Sequence, residues 1–282
     1  MEKEISVEEL LKGCFINVDK PSGPTSHDVD LWFRRIFSVE KTSHFGTLDP
    51  AVTGVLPIAI GKAVKLFQYF QTGKEYVGVM RINEDVKVER VKEVIKEHFT
   101  GKIRQLPPKK SVVKRVERER EIYKFDILEK EGKNFLFYVS CEAGTYIRKL
   151  VHDLGEALGC GAHMTELRRT KAGRFEEKDS FRIEEILRAY EEHKKGNSKD
   201  LLKMLIQKEL LLQEIKSFEA NNETFDRIKH GGPIFMEDID KKFKAEIDER
   251  IGILYQKEIV AIFKVIKEGK IFAKPDSVLV GY

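Results

Sequence analysis

One carboxylate stands out for the residues around it. Asp49 lies in the run Ser43-His44-Phe45-Gly46-Thr47-Leu48-Asp49-Pro50-Ala51-Val52-Thr53-Gly54-Val55-Leu56-Pro57-Ile58, where two glycines and two prolines leave the backbone few choices and fix the direction of the side chain. An isolated Asp-Pro pair does no more than open a turn. In a loop this constrained, an acid is held in place. A carboxylate in a shaped pocket can attack carbon as a nucleophile or take a proton as a base, and the residue alone leaves both open. The chain has no Gly-rich phosphate loop, no dinucleotide fingerprint and no cluster with metal-ligand spacing, which argues against phosphoryl transfer, nicotinamide chemistry and a bound metal.

Such a loop needs a frame. Upstream, Cys14 to Val18 is an apolar run of strand length that Asp19-Lys20-Pro21 breaks, with Lys20 placed to support the loop or a phosphate. Ser22-Gly23-Pro24-Thr25-Ser26 is turn chemistry, and Thr25 or Ser26 can cap the helix that follows. Val29, Trp32, Phe33, Ile36 and Phe37 make one apolar face of that helix, so Trp32 is expected in the core. Short helices are expected at 7–11 and from Gly61, a strand at 76–82, and an amphipathic helix through Val91, Val94, Ile95 and Phe99 that Gly101 ends. Strands at 122–128 and 135–141 flank the turn Glu131-Gly132-Lys133-Asn134. Gly144-Thr145-Tyr146 then leads into a helix with Ile147, Leu150, Val151, Leu154 and Leu158 inward and Arg148 beside that stripe.

Beyond a helix through Ile183, Ile186, Leu187 and Tyr190, residues 201–215 are apolar nearly all round and read as one helix buried between domains. After the turn His230-Gly231-Gly232-Pro233, short strands at 251–255, 259–266, 270–273 and 278–280 suit a small β-barrel. The fold class expected is α+β (mixed α/β), with a central, mainly antiparallel sheet flanked by helices and a small C-terminal barrel.

Composition sets outer limits. The 282 residues are 41% hydrophobic and 35% charged, enough for a large domain and a smaller companion. The net charge is only +4, but the 51 Lys and Arg gather at Lys109, Lys110, Lys114, Arg115, Arg118 and Arg120, and again at Arg168, Arg169, Lys171 and Arg174, as a polyanion-facing surface would require. Three distant cysteines, Cys14, Cys141 and Cys160, indicate neither a disulfide framework nor a zinc site, and point to a reducing compartment. No apolar stretch reaches membrane-spanning length, and Met1-Glu2-Lys3-Glu4 does not begin a signal peptide, so a soluble intracellular protein is expected.

The run around Asp49 resembles the catalytic-aspartate motif of the TruB family of RNA pseudouridine synthases, Gly-His-x-Gly-Thr-Leu-Asp-Pro followed by Thr-Gly-Val-Leu-Pro. Asp19 to His27, Lys74-Glu75-Tyr76 and Gly144 to Leu150 resemble further family segments in the family's order, while Gly161 to Thr170 resembles the dyskerin-type branch, the catalytic subunit of box H/ACA ribonucleoproteins. The resemblance implies Asp49, Tyr76 and Arg148 as catalytic residues. Asp49 starts the reaction, a buried Arg148 guanidinium keeps it ionised, and Tyr76 stacks on the uracil near the proton that must leave. It implies His44, Lys20, Tyr146 and Lys149 as RNA contacts, with His44 taking the place of the everted nucleotide. No cofactor and no metal are implied.

The implied assembly contains an H/ACA guide RNA, an rRNA substrate with tRNA as a further class, and small H/ACA core proteins. Its place is the cytoplasm of an archaeal cell, or the nucleolus if eukaryotic. The expected boundaries are a catalytic domain at 10–187, a helical connector at 188–216 and a PUA-like RNA-binding domain at 217–282. Three departures stand out: Ser43 replaces the motif's Gly, Phe45 replaces Ser or Thr and predicts a bulkier RNA-facing loop, and the N-terminus is short for the dyskerin branch. Rival readings are a stand-alone synthase acting on the tRNA T-loop and a non-catalytic RNA-binding scaffold.

Overall fold

The computed structural model describes residues 5–70, 73–107, 114–240 and 242–280. Lys109 and Lys110 of the first basic cluster lie outside them. The chain opens with α1 (Val7–Leu10) and β1 (Gly13–Lys20) and enters α2 (Ser26–Ile36), whose N-cap Thr25 forms a reciprocal capping box with Asp28. Next come β2 (Thr42–His44), the aspartate loop, β3 (Thr53–Gly61), a 3₁₀ segment at Lys62–Phe70 and β4 (Lys74–Ile82). They are followed by α3 (Val88–His98), β5 (Gly101–Gln105), β6 (Arg118–Glu131), β7 (Asn134–Cys141) and α4 (Ile147–Ala157). The large sheet is completed by β8 (Ala162–Ala172), β9 (Phe175–Glu176), β10 (Phe181–Arg182), α5 (Ile183–Lys194), α6 (Lys199–Met204) and β11 (Leu205–Gln207). A 3₁₀ segment at Lys208–Gln213 leads to β12 (Lys216–Glu219), α7 (Asn222–Lys229), β13 (Ile234–Phe235), β14 (Arg250–Tyr255), β15 (Glu258–Glu268) and β16 (Ile271–Val278).

Eleven strands form one mixed, mainly antiparallel sheet in the order β10-β1-β3-β8-β4-β7-β6-β5, with β11 beside β1, β2 beside β3 and β9 beside β8. β3 is buried along both faces, as a central strand should be, while β7 alternates between buried and half-buried positions. The remaining strands form a five-stranded sheet, β12-β14-β15-β16-β13, wrapped round its own core of Ile228, Ile251, Ile253, Phe263 and Phe272. A separate cluster, in which Phe15, Phe45 and Phe67 meet Leu211, Ile259, Ile262 and Leu279, seats one sheet on the other. No helix among the described residues is long and apolar enough to cross a membrane.

The fold itself corrects four expectations. Trp32 is 38% exposed, because Val29, Phe33 and Phe37, four residues apart, form the buried stripe and Trp32 lies about 100° round the helix from Phe33. Residues 201–215 are not one helix: they divide into α6, β11 and the 3₁₀ segment, and β11 extends the large sheet along Cys14 to Ile16. A continuous apolar run buries itself equally well in either form. The two last strand candidates merge into β16, which absorbs Pro275 at a register shift. Phe45 does not face outward; it is buried against Phe67 in the cluster between the sheets.

Candidate active site

The aspartate loop joins β2 to β3 and is tied down on every side. Ser26, in the first turn of α2, accepts from the Leu48 N–H at 2.9 Å and donates to the Leu48 carbonyl at 3.1 Å. Lys20 is fully buried and donates to the carbonyls of Pro21, Pro50 and Val52 at 2.7, 3.0 and 2.9 Å. All three of its donors are engaged, so Lys20 supports the loop, and no phosphate can share it in this arrangement. Gly46 and Gly54 take φ of +73° and +99°. A Cβ on Gly54 would lie 2.2 Å from the Arg169 carbonyl, so only glycine lets the loop return against β8.

His44 is gripped through both ring nitrogens. Nδ1 lies 2.6 Å from Asp30 Oδ2, and Nε2 lies 3.0 Å from Thr47 Oγ1. A carboxylate facing Nδ1 keeps the proton there. The ring therefore enters the site in one orientation, braced from α2 by a buried Asp30.

Arg148 comes from the first turn of α4. Gln105, at the end of β5 and itself buried, places that turn by accepting the Tyr146 N–H at 2.9 Å and donating to the Tyr146 carbonyl at 3.2 Å. Arg148 Nη2 then reaches Asp49 Oδ2 at 3.1 Å. The structure thus brings together two residues 99 positions apart in the chain. The guanidinium expected to be buried is open: the side chains of Arg148 and Asp49 are 60% and 47% exposed. The pair sits on an uncovered surface. Lys149, one residue on, forms an ion pair with Asp153 along α4.

Tyr76 lies on β4, almost wholly buried, and its partner across the β4–β8 ladder is Arg169. Burial pushes the phenol's pKa up; the neighbouring Arg169 charge pulls it down and the charge of Asp49 raises it. Burial and the Arg169 charge likewise lower the pKa of Lys20, and the charge of Asp49 opposes them.

The cations of the second basic run are engaged within the protein. Arg168 makes a two-pronged pair with Asp19 at 2.9 and 3.0 Å and reaches Glu177, Lys171 lies near Glu75 and Glu176, and Arg174 binds Gln213, Glu214 and the Leu210 carbonyl. Arg169 is fully buried. A sequence shows a cluster of charges but not the carboxylates that strand pairing brings opposite them. Sequence reasoning also missed Gln105 and Asp30 as supports of the site; a lone glutamine at the end of an expected strand carries no signal of its own.

Three family models match the chain: the N-terminal domain of TruB family pseudouridylate synthases at residues 34–147, the tRNA pseudouridylate synthase B C-terminal domain at residues 148–213, and the DKCLD domain at residues 4–30. A protein of Methanocaldococcus jannaschii named probable tRNA pseudouridine synthase B is 44% identical over 86% of this chain and 72% of its own length. One of the same name from Archaeoglobus fulgidus is 43% identical over 94% of this chain and 82% of its own. Among solved structures, the chain is similar to one in a Cbf5-Nop10-Gar1 complex, with a TM-score of 0.87 and 36% identity over 99% of this chain and 88% of that one. It is also similar to one in an H/ACA RNP bound to a substrate RNA containing 2'-deoxyuridine, with a TM-score of 0.85 and 33% identity over 98% and 88% of the two chains.

Proposed function

The chain belongs to the TruB family of RNA pseudouridine synthases, and from that premise we propose that it is the catalytic subunit of a guide-RNA-directed box H/ACA ribonucleoprotein that converts uridine to pseudouridine in ribosomal RNA, with tRNA as a further target. The observation that carries the reading is the Asp49–Arg148 pair at 3.1 Å on an open surface, with the loop beneath it pinned from α2 and β1. The likeness to chains of H/ACA complexes along nearly the whole length supports a guide RNA and small H/ACA core proteins as partners, and the cytoplasm as the place of work. The five-stranded sheet is PUA-like and would hold the guide, while base pairing selects the uridine and the protein grips backbone and shape.

In the reaction the C1'–N1 bond of the target uridine breaks and the freed uracil, carrying the electron pair on N1, turns over. C5 then bonds to C1', the C5 proton leaves, and N1 takes up a proton, so the sum is an isomerisation with no redox step. Asp49 starts the sequence, either by attack at C1', forming a bond that breaks again as C5 bonds to C1', or by taking the C2' proton of the ribose, which it returns as C5 bonds. RNA that covers the site removes water from Asp49, which disfavours its charged form, and the Arg148 guanidinium offsets this. Tyr76, just beneath, stands on the path by which the C5 proton departs. His44, rigidly held, would fill the place the everted nucleotide leaves.

A second reading is a stand-alone tRNA T-loop synthase, which the names of the archaeal relatives favour. A tritium-release assay on uridine-labelled RNA, with and without guide RNA and core proteins, separates the two. Conversion that needs the guide supports the proposal; full-rate conversion of a bare tRNA transcript overturns it.

A further inference from the structure

Beneath the aspartate loop lie two cations with no carboxylate among the described residues to pair with them. Arg169 is 0% exposed; its Nε donates to the Val55 carbonyl at 2.7 Å, its Nη2 to the Phe45 carbonyl at 3.3 Å, and its Nη1 has no hydrogen-bond partner among the described residues. The Lys74 ammonium, 9% exposed, lies over the Phe45 ring at 5.5 Å, and a Cβ on Gly46 would sit 2.1 Å from Lys74 Nζ and 3.2 Å from Arg169 Nη1. Removing a guanidinium from water without a carboxylate is costly, and an apolar side chain of similar volume would avoid that cost. The position of Arg169 shows what that charge does. Its own residue pairs with Gly54 of β3 on one side and with Tyr76 of β4 on the other, so it stands at the seam between the strand that leaves the aspartate loop and the strand that carries the tyrosine. Its side chain then bonds both ends of the loop, at Phe45 and Val55, with Asp49 between them.

We propose that Arg169 is a positioning residue of the reaction, which holds the strand position of Tyr76 and the two ends of the Asp49 loop in one fixed relation and sets its charge beside the phenol. The inference rests on the reading of Asp49 and Tyr76 given above. Full burial keeps Arg169 away from RNA, so it acts only through those two groups. A guanidinium has donors and no acceptor. Its charge, carried by the residue directly opposite Tyr76 in the β4–β8 ladder, favours the anionic form of the phenol.

The test is the pH dependence of conversion in the guided particle, for wild type, Arg169→Gln and Arg169→Lys, alongside Asp49→Asn and Tyr76→Phe. Arg169→Gln keeps the shape and a donor but removes the charge. It is expected to lower kcat about 100-fold, the lower end of the scale for losing one preorganised donor, with RNA affinity unchanged. It is also expected to move the alkaline limb of the pH profile upward, since the phenol loses the charge that eases its ionisation. Arg169→Lys, which keeps the charge but loses the fork, should leave that limb in place while kcat falls. Combined with Tyr76→Phe, Arg169→Gln should cost several-fold less than it does in wild type, because one of the two groups it acts through has gone. A drop in kcat with no movement of the limb, or an equal loss in both backgrounds, would make Arg169 a loop prop only and overturn the inference. Full conversion by Asp49→Asn or Tyr76→Phe would instead defeat the underlying assignment. Should Arg169→Gln fail to fold, as its melting curve would show, the limb in Arg169→Lys decides: a shifted limb contradicts the proposal.

Discussion

The two sheets fill their interiors on different terms. Among the described residues, the buried polar or charged side chains of the large sheet and its helices are Asn17, Lys20, Ser26, Asp30, Lys74, Gln105 and Arg169, and the C-terminal part contributes Thr224 alone. Lys20, Ser26 and Arg169 bond the aspartate loop, Asp30 holds His44, and Gln105 sets the turn that presents Arg148. The five-stranded sheet instead closes over Ile228, Ile234, Ile251, Phe263, Val265 and Phe272, side chains that need no partners. One interior is packed for stability alone. The other carries buried charge, which destabilises unless something requires it, and its position round one loop shows what requires it.

Four substitutions would sharpen or break that contrast. The largest effect is expected at Arg148→Met, which should lower conversion about 10³-fold, as loss of a charged group aimed at a reacting centre does, while leaving the melting temperature within a degree or two of wild type because the residue is exposed. A similar loss of activity and of stability together would erase the distinction. Next, Phe263→Ala in the smaller sheet should cost about 3–5 kcal/mol of stability by opening a cavity, yet the protein that remains folded should turn over normally.

The third is Lys74→Met. Burial, reinforced by the Arg169 charge, pushes the Lys74 pKa down from 10.5 to about 7. Below about pH 7 the side chain is charged folded and unfolded, so the whole cost of burying it is present. Between pH 7 and 10.5 the folded state has lost the proton that the unfolded state still holds, and stability rises with pH. Lys74→Met is therefore expected to stabilise by on the order of 3 kcal/mol at pH 6 and by progressively less toward pH 10, in denaturant titrations at each pH. A gain independent of pH would mean that Lys74 is not buried as a charge. The smallest effect is expected at Gly269→Ala, at φ +57° with open space around it, which should cost about 1 kcal/mol in the same titrations and leave conversion untouched.

Much of this was legible in the chain. The hairpin of β6 and β7, the capped α2 and the helix of Ile147 and Leu150 follow from periodicity and turn residues, because their neighbours in sequence are their neighbours in space. The Asp49 loop could be found for the same reason, since its glycines and prolines act locally. What sequence could not supply was long-range pairing. Arg168 and Arg169 look alike as letters, yet one faces Asp19 across a strand junction and the other is buried under a loop more than a hundred residues earlier. The open state of Arg148 and the inward turn of Phe45 depend on how the two sheets meet, which no local pattern encodes.

The most direct measurement is pseudouridine formation by Asp49→Asn in the assembled particle, with RNA affinity and melting temperature recorded on the same sample. The side chain keeps its size and loses only its charge. The expected result is no detectable conversion, with substrate still bound and the fold intact; conversion at the wild-type rate would contradict the assignment of the reaction to this carboxylate.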